Sequence, residues 1–284
     1  MTVTVKDPRV ISRRVEEERE RGRTIGLVPT MGFLHEGHLS LVRQCKEEND
    51  LTVVSIFVNP AQFGPSEDFQ SYPRNMERDA ALLEAEGTDL LFAPEPETMY
   101  EKDHSVFVDE CFLARDLCGA SRPGHFRGVC TVVLKLFNLA RPHRAYFGQK
   151  DYQQLKVIQR MVRDLNVPVE IRPCPIVRDS DGLAKSSRNA YLSEEERREA
   201  LLLNASLEMA KKALQDGESR VAALREMILT RFEKSPLAQP EYVEIRHSET
   251  LEPLEKVEDA ALLALAVRVG TTRLIDNCLL ETSR

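Results

Sequence analysis

Two histidines three residues apart, His35 and His38, follow an apolar run ending at Val28 and the turn Pro29-Thr-Met-Gly32, and they open a helical pattern. That context sets both imidazoles at or near a helix N-terminus. Unpaired backbone N–H groups and the positive end of the helix dipole favour phosphate there. Gly37 between them has no side chain to hold a ligand off the backbone. The chemistry that suits such a site is stabilisation of negative charge on a nucleotide α-phosphate under nucleophilic attack. A zinc-protease reading needs His-Glu-x-x-His. His35-Glu-Gly-His38 is one residue short of it and has no evident third ligand.

Two further clusters could meet the same phosphates. Lys150 and Asp151 follow the strand expected at Arg144 to Phe147 and the Gly148 turn. The lysine suits phosphate as a mobile point charge, and the aspartate suits ribose hydroxyls as an acceptor. Lys185-Ser-Ser-Arg188 follows Gly182, a flexible pivot of the kind found in loops that close over a reaction.

These groups need a frame. Short β-rich runs at Thr24 to Val28, Leu51 to Val58, Asp89 to Phe92, Ser105 to Val108, Arg144 to Phe147 and Pro168 to Arg172 alternate with helical patterns. The helices expected are Leu39 to Glu48, Asn75 to Glu86, Gly128 to Leu139 and Tyr152 to Leu165. Alternation of this kind predicts an α/β fold, a Rossmann-like doubly wound parallel sheet, with ligands beyond the carboxyl ends of its strands. The charge-dense run from Arg13 to Arg23 reads as a solvated helix face. From Ser193 the texture changes. Ser193 and Glu196 form a capping box before Leu203, Leu207, Ala210 and Leu214, and Gly217 stops that helix. Ser219 is expected to open a second helix with Val221, Leu224 and Ile228, and strands are expected at Tyr242 to Arg246, Ala260 to Val267 and Thr272 to Asn277. The reading is therefore a sheet domain over 1–176 and a smaller α+β C-terminal domain over 177–284.

The whole chain has 284 residues, 42% hydrophobic and 30% charged, with 39 Lys plus Arg against 46 Asp plus Glu and a formal charge of −7. That acidic balance argues against sequence-independent nucleic-acid binding and points to small-molecule partners. Six cysteines without C-x-x-C spacing indicate neither a zinc knuckle nor a disulfide framework, so a reducing cytoplasm is expected. The first 25 residues are rich in Arg and Glu, and no apolar run approaches membrane-spanning length.

The histidine segment resembles the HIGH motif of the class I nucleotidyltransferase superfamily, and Pro29-Thr-Met-Gly-Phe-Leu-His-Glu-Gly-His38 resembles the pantothenate synthetase family in particular. The resemblance continues through Phe57-Val-Asn-Pro-Ala-Gln-Phe-Gly64, Tyr72-Pro-Arg74, Arg122-Pro-Gly-His-Phe-Arg-Gly128 and Phe147-Gly-Gln-Lys-Asp-Tyr-Gln-Gln154. It extends to Gly182-Leu-Ala-Lys-Ser-Ser-Arg-Asn189 and Gly270-Thr-Thr-Arg-Leu-Ile-Asp-Asn277. What it implies is ATP-dependent condensation of (R)-pantoate with β-alanine through a pantoyl adenylate, with Mg2+ accompanying ATP and a homodimer as the assembly. His38, His35, Lys150 and Arg188 would be catalytic. The ATP site would be lined by Met31, Gly32, Phe33, Leu34, His35, Glu36, Gly37 and His38, by Gly148, Gln149, Lys150 and Asp151, and by Val177, Lys185, Ser186, Ser187 and Arg188. Gln62 and Gln154 would hold pantoate, with Pro29, Met31 and Phe63 around its gem-dimethyl group, and Asp79 would be the protein's Mg2+ ligand.

Lys185 stands where the family usually has an apolar residue, Cys118 and Gln149 where it has glutamate, and Arg78 where it can be acidic. Competing readings are a nucleotidyltransferase that keeps AMP in its product, an aminoacyl-tRNA synthetase, and a nucleotide-binding module without catalysis. Release of AMP separates the ligase from the first. The acidic charge argues against the second, and the intact His35, His38, Lys150 and Arg188 argue against the third.

Overall fold

The computed structural model describes residues 1–65 and 67–282, and its chain resolves into two compact units. The first is Met1–Gln149 with Gln154–Pro175, and the second is Lys150–Gln153 with Ile176–Arg284. A single cut at 176/177 falls one residue past that division and misses the four residues from Lys150 to Gln153, which group with the second unit.

The first unit contains β1 (Val3–Val5), α1 (Pro8–Glu20), β2 (Ile25–Thr30), α2 (Glu36–Glu48), β3 (Leu51–Ile56), α3 (Met76–Ala85) and β4 (Leu90–Phe92). The one-turn helices α4 (Pro96–Met99) and α5 (Cys118–Ser121) come next, followed by α6 (His125–Ala140), β5 (Arg144–Gly148), α7 (Tyr152–Asp164), of which Tyr152 and Gln153 group with the second unit, and β6 (Glu170–Cys174). All six strands are parallel, in the order β1-β4-β3-β2-β5-β6. The chain winds outward from β2 through β3 to β4 on one side and from β5 to β6 on the other, so the topological switch lies between β2 and β5. Crevices at such a point, beyond the strands' carboxyl ends, are where ligands bind in this architecture. The strand ends there are Thr30 and Gly148. Because helices cover parallel sheets on both faces, β3 is buried at every position and β2 at all but Pro29. Val28, Val54, Leu91 and Tyr146 pack with Leu41 and Val42 of α2.

One expectation fails here, and one strand was not foreseen. Ser105 to Val108 forms no strand: Val106 is 76% exposed, and the Val108 N–H donates to Thr131 Oγ1 of α6 instead of to a neighbouring strand. The sheet's edge is closed by β1, three residues paired only with β4. Val3-Thr-Val5 does alternate apolar and polar residues, but the run is too short to stand out as a strand, and only Val5 is buried.

In the second unit, α8 (Glu194–Gln215) and α9 (Val221–Phe232) pack on an antiparallel sheet ordered β7 (Ala238–His247), β8 (Ala260–Val269), β9 (Thr272–Glu281). The Ser193–Glu196 capping box forms as expected. On β8 the alternate residues Ala261, Leu263, Leu265, Val267 and Val269 meet Leu203 and Leu207 of α8 and Leu224 and Ile228 of α9. Ser219 does not cap α9. Arg220 holds that position without a side-chain bond, and Val221 N–H is satisfied by the Glu255 carbonyl.

Candidate active site

In the first unit the chemistry begins where β2 ends. Gly32 and Phe33 take consecutive left-handed conformations, φ +82° and +49°, the second of which costs a residue with a Cβ roughly 1 kcal/mol or more. Asp79 of α3, 1% exposed, holds the turn: its Oδ2 accepts the Phe33 N–H at 2.6 Å and its Oδ1 the Leu34 N–H at 2.9 Å. Arg78 Nη1 adds 3.0 Å to the Leu34 carbonyl and 3.3 Å to Asp79 Oδ1. As a magnesium ligand Asp79 does not fit, because both oxygens serve the turn and burial leaves no face for a hydrated ion. No group of three His, Cys, Asp or Glu suited to a metal occurs among the described residues.

The turn delivers His35 to the N-cap of α2 and His38 to its third residue. His35 Nδ1 accepts the Gly37 N–H at 3.2 Å, and His38 Nδ1 accepts the His35 N–H at 3.3 Å. This is a capping box built from two imidazoles, whose ring centroids are 4.1 Å apart. With Nδ1 an acceptor in each ring, the hydrogen-bond pattern assigns the proton of the neutral form to Nε2. Both rings can therefore donate from Nε2 without being charged, at the positive end of a 13-residue helix.

Gln62 lies beside the turn. It closes the single 3₁₀ turn Pro60–Gln62 and is 8% exposed. Its Oε1 accepts from Asn59 Nδ2 at 3.1 Å, while its Nε2 lies 3.1 Å from Met31 Sδ, a weak acceptor that a carboxylate could replace. Met31, expected at ATP, and Gln62, expected at pantoate, are thus in contact. Asn59, 1% exposed, is fully used: Nδ2 also donates to the Gly128 carbonyl at 3.1 Å, and Oδ1 accepts from Ala61 N–H at 3.2 Å and Tyr100 Oη at 2.9 Å. Burial pushes the Tyr100 phenol up to about 12, so it stays a donor. Phe63 packs its ring against Phe69 and Tyr72. Gln154 is half-buried in the first turn of α7, and Gly148 and Gln149 lead from β5 toward that helix.

In the second unit, two consecutive residues of β9 hold both remaining clusters. Asn277 Nδ2 donates to the Lys150 carbonyl at 2.8 Å. Asp276, 1% exposed at its side chain, takes Arg178 in a two-pronged pair at 2.7 and 2.9 Å. Arg178 also donates to the Gly182 carbonyl at 3.0 Å, bracing a hairpin in which Arg178 pairs with Ala184. Lys150 Nζ is 3.9 Å from Asp151 Oδ2. Past the hairpin, Lys185 N–H bonds the Val177 carbonyl at 2.9 Å, and Ser186 Oγ caps the turn Ser187–Tyr191 by accepting the Arg188 N–H at 3.3 Å. The Lys185 side chain pairs with Asp179, whose other oxygen takes Arg197 Nη2 at 2.9 Å. Lys185 first and Arg197 after it hold the Asp179 carboxyl below the usual range, against the opposing effect of burial.

Asn59, Asp276 and Asn277 lie inside motifs visible in the chain, but their roles depend on partners distant in sequence. The cue available was Gly128, where an added Cβ would fall on the Ala61 carbonyl and 2.6 Å from Gln62 Cα. A glycine in a helix that is otherwise apolar signals such a close approach.

Residues 3–279 match the model of the family described as Pantoate-beta-alanine ligase. The chain belongs to the pantoate–β-alanine ligase family. It is 59% identical over 268 residues to the pantothenate synthetase of Pseudothermotoga lettingae, covering 94% of this chain and 95% of that one. It is 54% identical over 277 residues to that of Geobacter sulfurreducens, covering 98% and 97%. The crystal structure of pantothenate synthetase from Thermus thermophilus matches with a TM-score of 0.93 at 46% identity over 98% of this chain and 99% of that one. The pantoate–β-alanine ligase of Francisella tularensis, solved in complex with β-γ ATP and β-alanine, matches with a TM-score of 0.81 at 34% identity, covering 100% and 99%.

Proposed function

We propose that this chain joins (R)-pantoate to β-alanine at the expense of ATP, releasing pyrophosphate and then AMP, through a pantoyl adenylate. The observation that carries the reading is the imidazole capping box of His35 and His38, which presents neutral Nε2 donors at the start of α2. Attack by the pantoate carboxylate gathers negative charge on the α-phosphate, and donors already oriented there stabilise it with no reorganisation. The Met31 to His38 segment, Gly148, Gln149, Asp151 and Val177 serve ATP. Lys150, Lys185, Ser186, Ser187 and Arg188 supply cations and donors for the phosphates and the departing pyrophosphate.

Gln62 and Gln154 take pantoate. Neutral amides fix its carboxylate and hydroxyl without a short salt bridge that would blunt the nucleophile. ATP would enter as its magnesium complex, the ion supplying charge neutralisation to the phosphates. The sheet and pantoate work belongs to 1–176 and the closing loop to 177–284. A homodimer is supported by the segment carrying exposed Val106, Phe107 and Phe112, and cytoplasmic residence by the scattered cysteines.

The test is incubation with ATP, pantoate and β-alanine, with hydroxylamine added in a parallel reaction that omits β-alanine. AMP, pyrophosphate and a pantoyl hydroxamate are expected. Absence of AMP would remove the ligase reading.

A further inference from the structure

We infer that His125 is a positioning residue for pantoate, acting through the backbone of Gln62; the inference rests on the assignment of Gln62 to pantoate. His125 is the first residue of α6, 7% exposed, and its Nδ1 lies 2.9 Å from the Gln62 carbonyl oxygen. Its Nε2 lies 3.0 Å from Arg122 Nη1. A guanidinium only donates, so Nε2 accepts, the ring proton resides on Nδ1, and Nδ1–H donates to Gln62. This tautomer is the opposite of the one assigned to His35 and His38.

Behind the ring, Glu67 accepts Arg122 Nε at 2.8 Å and Nη2 at 2.7 Å. Burial alone would raise the Glu67 carboxyl. The Arg122 bonds and charge outweigh it and leave the group below its usual range, as an ionised anchor. The run from Glu67 through Arg122 and His125 to the Gln62 carbonyl is a chain of hydrogen bonds in which each donor is polarised by the next. Arg122 Nη2 approaches the same carbonyl at 3.4 Å.

Gln62 needs this support because its own turn is a single three-residue 3₁₀ segment with a 3.3 Å closing bond. Asn59 fixes the side-chain oxygen and His125 the main chain, so the amide NH₂ facing Met31 is the part left to exchange partners. Loss of the His125 bond lets the turn rotate and spreads the amide over orientations that do not meet a carboxylate.

The test exploits side-chain mimicry: an asparagine amide reaches the position of Nδ1, and a glutamine amide that of Nε2. His125→Ala should raise KM for pantoate about tenfold, the scale of one lost hydrogen bond, while KM for ATP stays within about twofold. His125→Asn should restore the pantoate KM, and His125→Gln should behave as His125→Ala does. Should the alanine variant fail to fold, the asparagine and glutamine pair decides. A pantoate KM unchanged in all variants, or rescued by glutamine and not by asparagine, overturns the inference and leaves a purely structural role. Gln62→Ala is measured alongside. If it leaves the pantoate KM unchanged, the pantoate assignment falls and takes this inference with it. If it raises KM while His125→Ala does not, the positioning role alone falls.

Discussion

The Asp79 carboxylate accepts the Phe33 N–H at 2.6 Å, joining two residues 46 apart in the chain and holding Phe33 at φ +49°. The turn before the histidines is therefore held in a left-handed conformation by a buried side chain that accepts two of its backbone N–H groups. Asp79→Asn would set an amide NH₂ against one of two backbone N–H groups. The expected loss is about 1–3 kcal/mol of stability, with a raised KM for ATP and an unchanged magnesium dependence. Urea denaturation and a Mg2+ titration of the rate check this. A large shift in the Mg2+ requirement at unchanged stability would restore Asp79 as a metal ligand.

His38→Ala should slow adenylate formation by about 10²–10³, the usual effect of removing one transition-state donor. Its cap bond to His35 N–H is lost too, which removes about 1 kcal/mol from α2 and leaves the fold intact. Pyrophosphate release and circular dichroism read the two effects separately. Near-normal turnover would show that His38 does not face the phosphate.

Gly128→Ala should be costly for a helix residue. The added methyl meets the main chain of Ala61 and Gln62, which cannot swing aside, so α6 must move off the turn. A loss of about 1–3 kcal/mol is expected, with a raised KM for pantoate. A melting temperature equal to that of the parent would contradict the close approach.

Asp179 ties Lys185 and Arg197 together, and its folded pKa lies below the ordinary 3.8. A carboxyl whose folded value is depressed contributes stability that is fully present above the unfolded value and lost as pH falls through the folded one. Asp179→Asn should therefore destabilise the protein near neutral pH, by a difference that begins to shrink below about pH 3.8 and vanishes only once pH has fallen through the lower folded value. Chemical denaturation of both proteins at pH 7 and in acid checks it. A difference that persists in acid would mean the pair is held by packing.

Local grammar was legible and long-range grammar was not. The Ser193–Glu196 box, the apolar β8 and the helix after His38 are set by residues within one or two turns. The Ser105 to Val108 alternation misled because Val108 bonds to α6, where a threonine hydroxyl replaces a strand partner, and Val106 is exposed. Asp79 read as a metal ligand because an acidic side chain shortly after Tyr72-Pro-Arg74 says nothing about the N–H groups it will meet. Asp276 and Asn277 looked like ordinary β9 residues because alternation reports burial and not which distant backbone is held. The start of a helix at the histidine pair was legible, while the cap that the two imidazoles build there was not.

The N-cap of α2 also bears on engineering. At that position serine, aspartate and asparagine are the strongest caps, so a stability screen or consensus design would select them in place of His35. On the phosphate role proposed for His35, such a variant would melt higher and work worse. Thermal selection alone would steer this enzyme away from its own chemistry.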